Sequence, residues 1–144
     1  MQSMESLVDA LGGRKVLKRR IANLADLRET VKGGLPYASF EALSARLGLG
    51  REEAANALHL PHRTNARRKK QRRLLADESD RVLRMARVGA QAAETLGSEA
   101  KAAEWLRRPN RALGNVPPLE LLDTDIGIRQ IEEVLGRIEH GIVS

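Results

Sequence analysis

Near one end of this 144-residue chain the apolar residues Ile128, Ile131, Leu135, Ile138 and Ile142 recur at spacings of 3, 4, 3 and 4. An α-helix gathers such positions on one face, whereas a strand would scatter them over two. A second stripe runs through Val16, Leu17, Ile21, Leu24 and Leu27, with Arg19, Arg20 and Arg28 nearer its edges. The chain holds one Trp, one Tyr and one Phe. β-Branched residues are sparse, and Ala, Leu, Arg and Glu recur at helical spacing, so the fold class is all-α. Two heptads are too few for a coiled coil, and the C-terminal stripe is expected to pack on the chain's own core.

Punctuation residues divide the pattern. Helices are predicted within Ser3 to Leu11 and from about Arg14 to Val31, before the break KGGLP at Lys32 to Pro36. Three short pieces follow: SFEALSARLG with Ser39 as its N-cap, REEAANALHL from Arg51, and PHRTNARRKKQRRLL from Pro61. Their connections are so short that they must be packed neighbours. Asp77 reads as the N-cap of a long helix ending at Gly97, and Ser98 as the cap of the next, which carries Trp105 and stops before Pro109. Pro118 suits the first position of a short helix PLELLD, and Thr124 or Asp123 caps the last helix, which Gly141 interrupts.

A hydrophobic content of 42% is enough for a real core, and the absence of cysteine excludes disulfides and thiolate metal sites. The opening MQSMESLVDALGG carries Glu5 and Asp9 without a basic flank, so it does not read as a signal peptide, and no 18 apolar residues are consecutive. The expectation is a soluble cytoplasmic protein with no membrane contact. Net charge is +6, but it is unevenly spread. Residues 1–75 hold 16 Lys/Arg against 7 Asp/Glu, or +9, and residues 76–144 hold 9 against 12, or −3. A polyanion-binding region over 1–75 joined to a region of different partner over 76–144 is the division this predicts.

From His62 to Arg73 the sequence HRTNARRKKQRR has seven Lys/Arg, no acid and one apolar residue, Ala66. Such runs are usually solvated surface. Context favours a helix-turn-helix beginning at Arg51: small Ala54 and Ala55 fall where two helices approach, Leu58 and Leu60 bracket the turn, and Pro61 opens the second helix. That unit would offer Arg63, Thr64, Asn65 and Arg67 to base edges in the major groove, and Arg68, Lys69, Lys70, Arg72 and Arg73 mainly to phosphates. An interfacial membrane helix is disfavoured because the segment lacks an apolar face.

The run AAEWLRRPNRALGNVPPLELLDTDIGIRQIEEVLGRIEHGIVS is similar to the C-terminal domain of the antitoxins of RES–Xre toxin–antitoxin systems, the Xre/MbcA/ParS family. The matching residues are Trp105, Leu106, Pro109 and Asn110; Ala112, Leu113 and Gly114; Pro118, Leu119, Leu122, Thr124 and Gly127; and Arg137 through Gly141, with Ser144 last. Upstream the resemblance continues through RTNARRK and DESDRVLRMARV, covering roughly residues 35 to 144. His59, at a turn position usually held by glycine, Asn65, where a large apolar residue is usual, and Asn115 depart from the family pattern.

The resemblance implies a homodimeric all-helical antitoxin that neutralises a RES-domain toxin, an enzyme degrading NAD, and represses its own promoter by binding operator DNA. It places Trp105 as the anchor of the small domain and Pro118, Leu119 and Leu122 at the surface presented to the toxin. The tail suggests an inhibitory plug formed by Arg137, Glu139, His140, Ile142, Val143 and Ser144, whose carboxylates could enter a pocket for an anionic dinucleotide, with Gly141 also counted at the toxin-binding surface. No enzymatic activity, cofactor or metal is expected, because His59, His62 and His140 lack partners at ligand or catalytic spacing. A stand-alone helix-turn-helix regulator is the alternative, since its basic half would look the same.

Overall fold

A computed structural model describes residues 3–141, so Ile142, Val143 and Ser144 of the expected plug lie outside the described residues. The described residues form α1 (Met4–Ala10), α2 (Gly13–Leu17), α3 (Leu24–Lys32), α4 (Tyr37–Arg46), α5 (Arg51–Ala57), α6 (His62–Gln71), α7 (Ala76–Leu96), α8 (Glu99–Arg107) and α9 (Asp125–Glu139), with 3₁₀ turns at Arg111–Leu113 and Pro118–Leu121. Among them β pairing is confined to two isolated bridges, Pro36 with Arg73 and Asn110 with Val116. The all-α expectation holds. None of these helices is long and apolar enough to cross a membrane.

Helix starts follow side-chain chemistry. The Ser3, Ser98 and Thr124 hydroxyls accept the backbone N–H of Ser6, Lys101 and Gly127 at 3.0, 3.1 and 2.9 Å. The single helix expected over 14–31 is instead α2 and α3. Lys18 ends α2 with φ +56°, and Asn23 restarts the chain by accepting the Asp26 N–H at 2.8 Å, while Asp26 accepts the Ala22 N–H at 2.9 Å. The phase of the stripe is therefore lost: Leu17 and Leu27 are buried, but Leu24 is 73% exposed. Ser39 is not a cap but a fully buried residue inside α4, which begins after Pro36. Likewise α7 starts two residues earlier than Asp77 as N-cap predicts, with Leu75 at the cap position, because the Glu78 carboxylate reaches back to the Leu75 N–H at 2.8 Å.

At 21 residues, about 30 Å, α7 is the common beam of the fold. It packs against α1, α3 and α4 on the N-terminal side and against α8 and α9 on the C-terminal side. Val82, Met85, Ala86, Val88 and Ala92 of α7 are buried in one continuous core that also takes in Phe40 and Leu43 of α4 and Ile128, Ile131 and Leu135 of α9. Leu47 closes on Gly89, where a Cβ would stand 2.9 Å from its methyl. The two halves of the charge pattern thus share one helix and one core. Two ion pairs stitch them together outside it, Arg46 with Glu99 at 3.2 Å and Arg107 with Glu53 at 2.8 Å, while Arg87 with Glu132 at 3.1 Å ties α7 to α9.

Candidate functional site

The turn between α5 and α6 is closed by the Leu60 N–H donating to Ala55 O at 2.8 Å and the His59 N–H to Asn56 O at 3.1 Å. This double closure needs a left-handed residue, and His59 supplies it at φ +53°. Ala54, Ala55, Leu58 and Leu60 are buried, so α5 and α6 approach as the small residues predict. Arg81 of α7 braces the turn, donating to Leu58 O at 2.7 Å and His59 O at 3.2 Å.

On α6 the intervals between Arg63, Arg67 and Lys70 put three cations on one exposed face. Lys69 and Arg72 are exposed beside it, and Thr64 is half-buried. Two residues assigned to DNA from sequence are placed elsewhere. Asn65 is 6% exposed, and its Oδ1 accepts the Tyr37 hydroxyl at 2.6 Å. Arg68 is 7% exposed; its Nε donates to Glu78 at 2.7 Å and its Nη1 to Gln71 at 3.3 Å. With only Ala66 apolar, α6 builds its inward face from polar side chains whose partners lie on α4 and α7, and that leaves neither Asn65 free for a base nor Arg68 for a phosphate. Arg73 is also engaged, donating to Gly34 O at 2.7 Å.

The Tyr37–Asn65 bond replaces the apolar anchor usual at position 65. Burial raises the Tyr37 pKa, so the phenol stays a donor across ordinary pH. Tyr37→Phe is expected to cost about 1–3 kcal/mol by orphaning the buried amide. Combining it with Asn65→Leu should recover most of that loss in urea denaturation, whereas additive losses would contradict the anchor role.

In the C-terminal part, Trp105 is half-buried against the core and Leu106 beside it is buried. Asn110 organises the loop that follows: its Oδ1 accepts the Ala112 N–H at 2.9 Å, its N–H donates to Val116 O at 3.2 Å, and its carbonyl accepts the Asn115 N–H at 2.8 Å. Gly114 and Asn115 take φ of +73° and +63° to turn the chain, a conformation asparagine tolerates. Pro118, Leu119 and Leu122, expected at the toxin-facing surface, are buried instead and seat the second 3₁₀ turn under α8 and α9. Arg137, Glu139, His140 and Gly141 are exposed around the end of α9.

The sequence reading missed Ile126, which is 68% exposed at the start of α9. Its signal was available, since it lies off the stripe of Ile128, Ile131 and Leu135. Missed too was the clamp at the joint between the halves. Arg107 donates to both Glu53 carboxylate oxygens, at 2.8 and 3.2 Å, and to Gly48 O, and His59 Nε2 lies 3.5 Å from Asp123. The hydrogen bond from Arg107 holds the Glu53 carboxyl below its usual pKa, so the clamp is in force above the ordinary glutamate range and fades as pH falls through that lowered value. Among the described residues no group of three or more His, Asp or Glu is placed to hold a metal ion.

Two family models match the chain in order: the antitoxin Xre-like helix-turn-helix domain over residues 26–87, and the antitoxin Xre/MbcA/ParS C-terminal toxin-binding domain over residues 91–141. Their junction falls within α7. An antitoxin Xre of Photorhabdus laumondii is 49% identical over 70 residues, covering 48% of this chain and 47% of that protein. An antitoxin Xre of Yersinia enterocolitica is 29% identical over 120 residues, covering 82% and 81%. A protein of a Sphingobium species named Prs ADP-ribosylating antitoxin is 30% identical over 130 residues, covering 83% and 82%.

Proposed function

The chain belongs to the Xre/MbcA/ParS family of antitoxins, and from that premise we propose that it neutralises a RES-domain toxin that degrades NAD and represses its own promoter. Residues 1–75 serve DNA and dimerisation in this reading, and residues 76–144 serve the toxin, with α7 linking the two. It acts as a stoichiometric binder in the cytoplasm without chemistry of its own. Its carrying observation is the match of the toxin-binding domain over 91–141, which runs to the exposed end of α9 where Arg137, Glu139, His140 and Gly141 stand clear of the core. Ile142, Val143 and Ser144 are assigned to the toxin by the same proposal.

NAD consumption by the purified toxin, titrated with the full chain, tests the first half. Inhibition should be complete at saturation, and a chain lacking residues 142–144 should stay folded but release the toxin. Full inhibition by that truncated chain would retire the plug.

For the second half, Arg63, Arg67, Lys69, Lys70 and Arg72 remain free to meet DNA. Neutralising about five phosphates gives a log–log salt slope of roughly −4 to −5 for binding to a promoter duplex. A flat response would remove DNA binding, while normal DNA binding with an unaffected toxin would favour a stand-alone regulator.

A further inference from the structure

Between α2 and the last turn of α6 lies a cavity of about 560 Å³ that no sequence spacing announces. Lys15 and Lys18 reach it from α2, and Lys69 and Arg72 from α6. Val16, Pro36, Tyr37 and Ala38 supply apolar lining, a surface on which the lysine and arginine stems can lie while their heads stay in water. We propose that these four cations form a ledge for DNA backbone phosphates beside α6, adding contacts from α2 to those of the helix-turn-helix. This inference rests on the DNA-binding reading above.

Charge is the first argument. Among the described residues Glu41 is the only acid lining the cavity, and Arg51 already neutralises it at 3.3 Å. Among the described residues, Lys15, Lys18, Lys69 and Arg72 take part in no ion pair, although Arg46, Arg68 and Arg107 of the same chain do. Arg14, Arg19 and Arg20, also exposed, continue the positive surface along α2 and the segment after it. Unpaired cations gathered from two segments some fifty residues apart make a polyanion site, and their field is what a phosphate chain seeks.

Position is the second. Lys69 sits about 100° around α6 from Lys70, so it lies to one side of the face made by Arg63, Arg67 and Lys70. A helix seated in the major groove has a phosphate wall along each flank, and the cavity opens on the flank that Lys69 occupies.

Backbone conformation supplies a third argument and a clean test. Lys18 and Arg72 close their helices with φ of +56° and +62°, where glycine is the least strained choice. Dipole complementation at two helix ends accounts for a cation at each, but not for Lys15 and Lys69 converging on the same space. Lys18→Gly removes the charge and relaxes the backbone together, and Lys15→Ala suits a helix. The double variant K15A/K18G should therefore melt at or above the wild-type temperature, so any loss of DNA binding is not a loss of fold.

The test measures full-length chain binding to a labelled duplex of its own promoter, and to a scrambled duplex, between about 50 and 200 mM salt. For K15A/K18G the slope should become shallower by about 2, from roughly −6 with the ledge engaged to the −4 to −5 of the five α6 contacts alone, with a similar fractional weakening on both duplexes, because phosphate contacts carry no sequence information. R63A/R67A serves as the parallel arm and should lose discrimination between the duplexes. A steep wild-type slope that R63A/R67A disturbs and K15A/K18G leaves unchanged overturns the ledge alone; a flat wild-type slope overturns DNA binding and the ledge with it. Inorganic phosphate is titrated by NMR as the last arm. Saturable shifts at Lys15 and Lys18, with an unaltered DNA slope in K15A/K18G, would make the cavity a free-anion site and also overturn the proposal.

Discussion

Arg68→Ala is expected to destabilise the chain by about 3–5 kcal/mol, read as a fall in the urea midpoint at unchanged slope. The Glu78 side chain is 4% exposed, and its Oε1 accepts both the Arg68 Nε–H and the Leu75 N–H. Truncating Arg68 leaves that carboxylate buried with a single backbone donor, and an uncompensated buried charge costs more than any contact removed. The double variant R68M/E78Q should recover most of the loss, since it removes the charge as well as its partner. A loss near 1 kcal/mol in R68A would show that water reaches Glu78. Because the Arg68 side chain faces α7, the folded R68A chain should keep the wild-type salt slope on DNA, which separates this account from one in which Arg68 grips a phosphate.

Gly127→Ala should break the C-terminal part at one point. A Cβ there would stand 2.0 Å from Leu121 O, a backbone atom that cannot swing aside. Either the start of α9 unwinds from its Thr124 cap or the second 3₁₀ turn is pushed off Leu119 and Leu122. The cost is expected at or above the upper end of the usual overpacking range, about 3 kcal/mol, with toxin inhibition weakened as the turn moves. Gly136 on the same helix is the control, with open space where its Cβ would be. Gly136→Ala should stabilise the chain by about 0.5–1 kcal/mol through helix propensity alone. Equal effects at the two glycines would contradict the close approach.

What could be read in advance was local. Ser3, Ser98 and Thr124 announce their helices because a capping hydroxyl and the backbone N–H it accepts lie within three residues. Ala54, Leu58, Leu60 and Pro61 mark the turn between α5 and α6 within a few residues of one another, although His59 stands where glycine was expected. The break between α2 and α3 was also locally encoded, in the bonds from the Asp26 N–H to Asn23 and from the Ala22 N–H to Asp26, but the apolar stripe concealed it. What could not be read was which way a side chain turns once distant partners exist. A run of seven cations looks solvated, yet α6 must bury a face; Tyr37 is 28 residues from Asn65, and Glu78 lies on another helix. Pro118, Leu119 and Leu122 failed as surface residues for a related reason: family likeness marks a segment as needed without saying whether it touches the partner or holds up what does. The ledge was invisible for the same reason as the α6 contacts, because Lys15 and Lys69 line one cavity only when the chain is folded.

The most direct measurement is growth and intracellular NAD in cells expressing the RES-domain toxin with and without this chain. The account predicts that co-expression restores both, and that G127A restores them less well than wild type at equal protein level. Failure of the wild-type chain to restore either, with both proteins made and folded, would contradict the antitoxin reading at its centre.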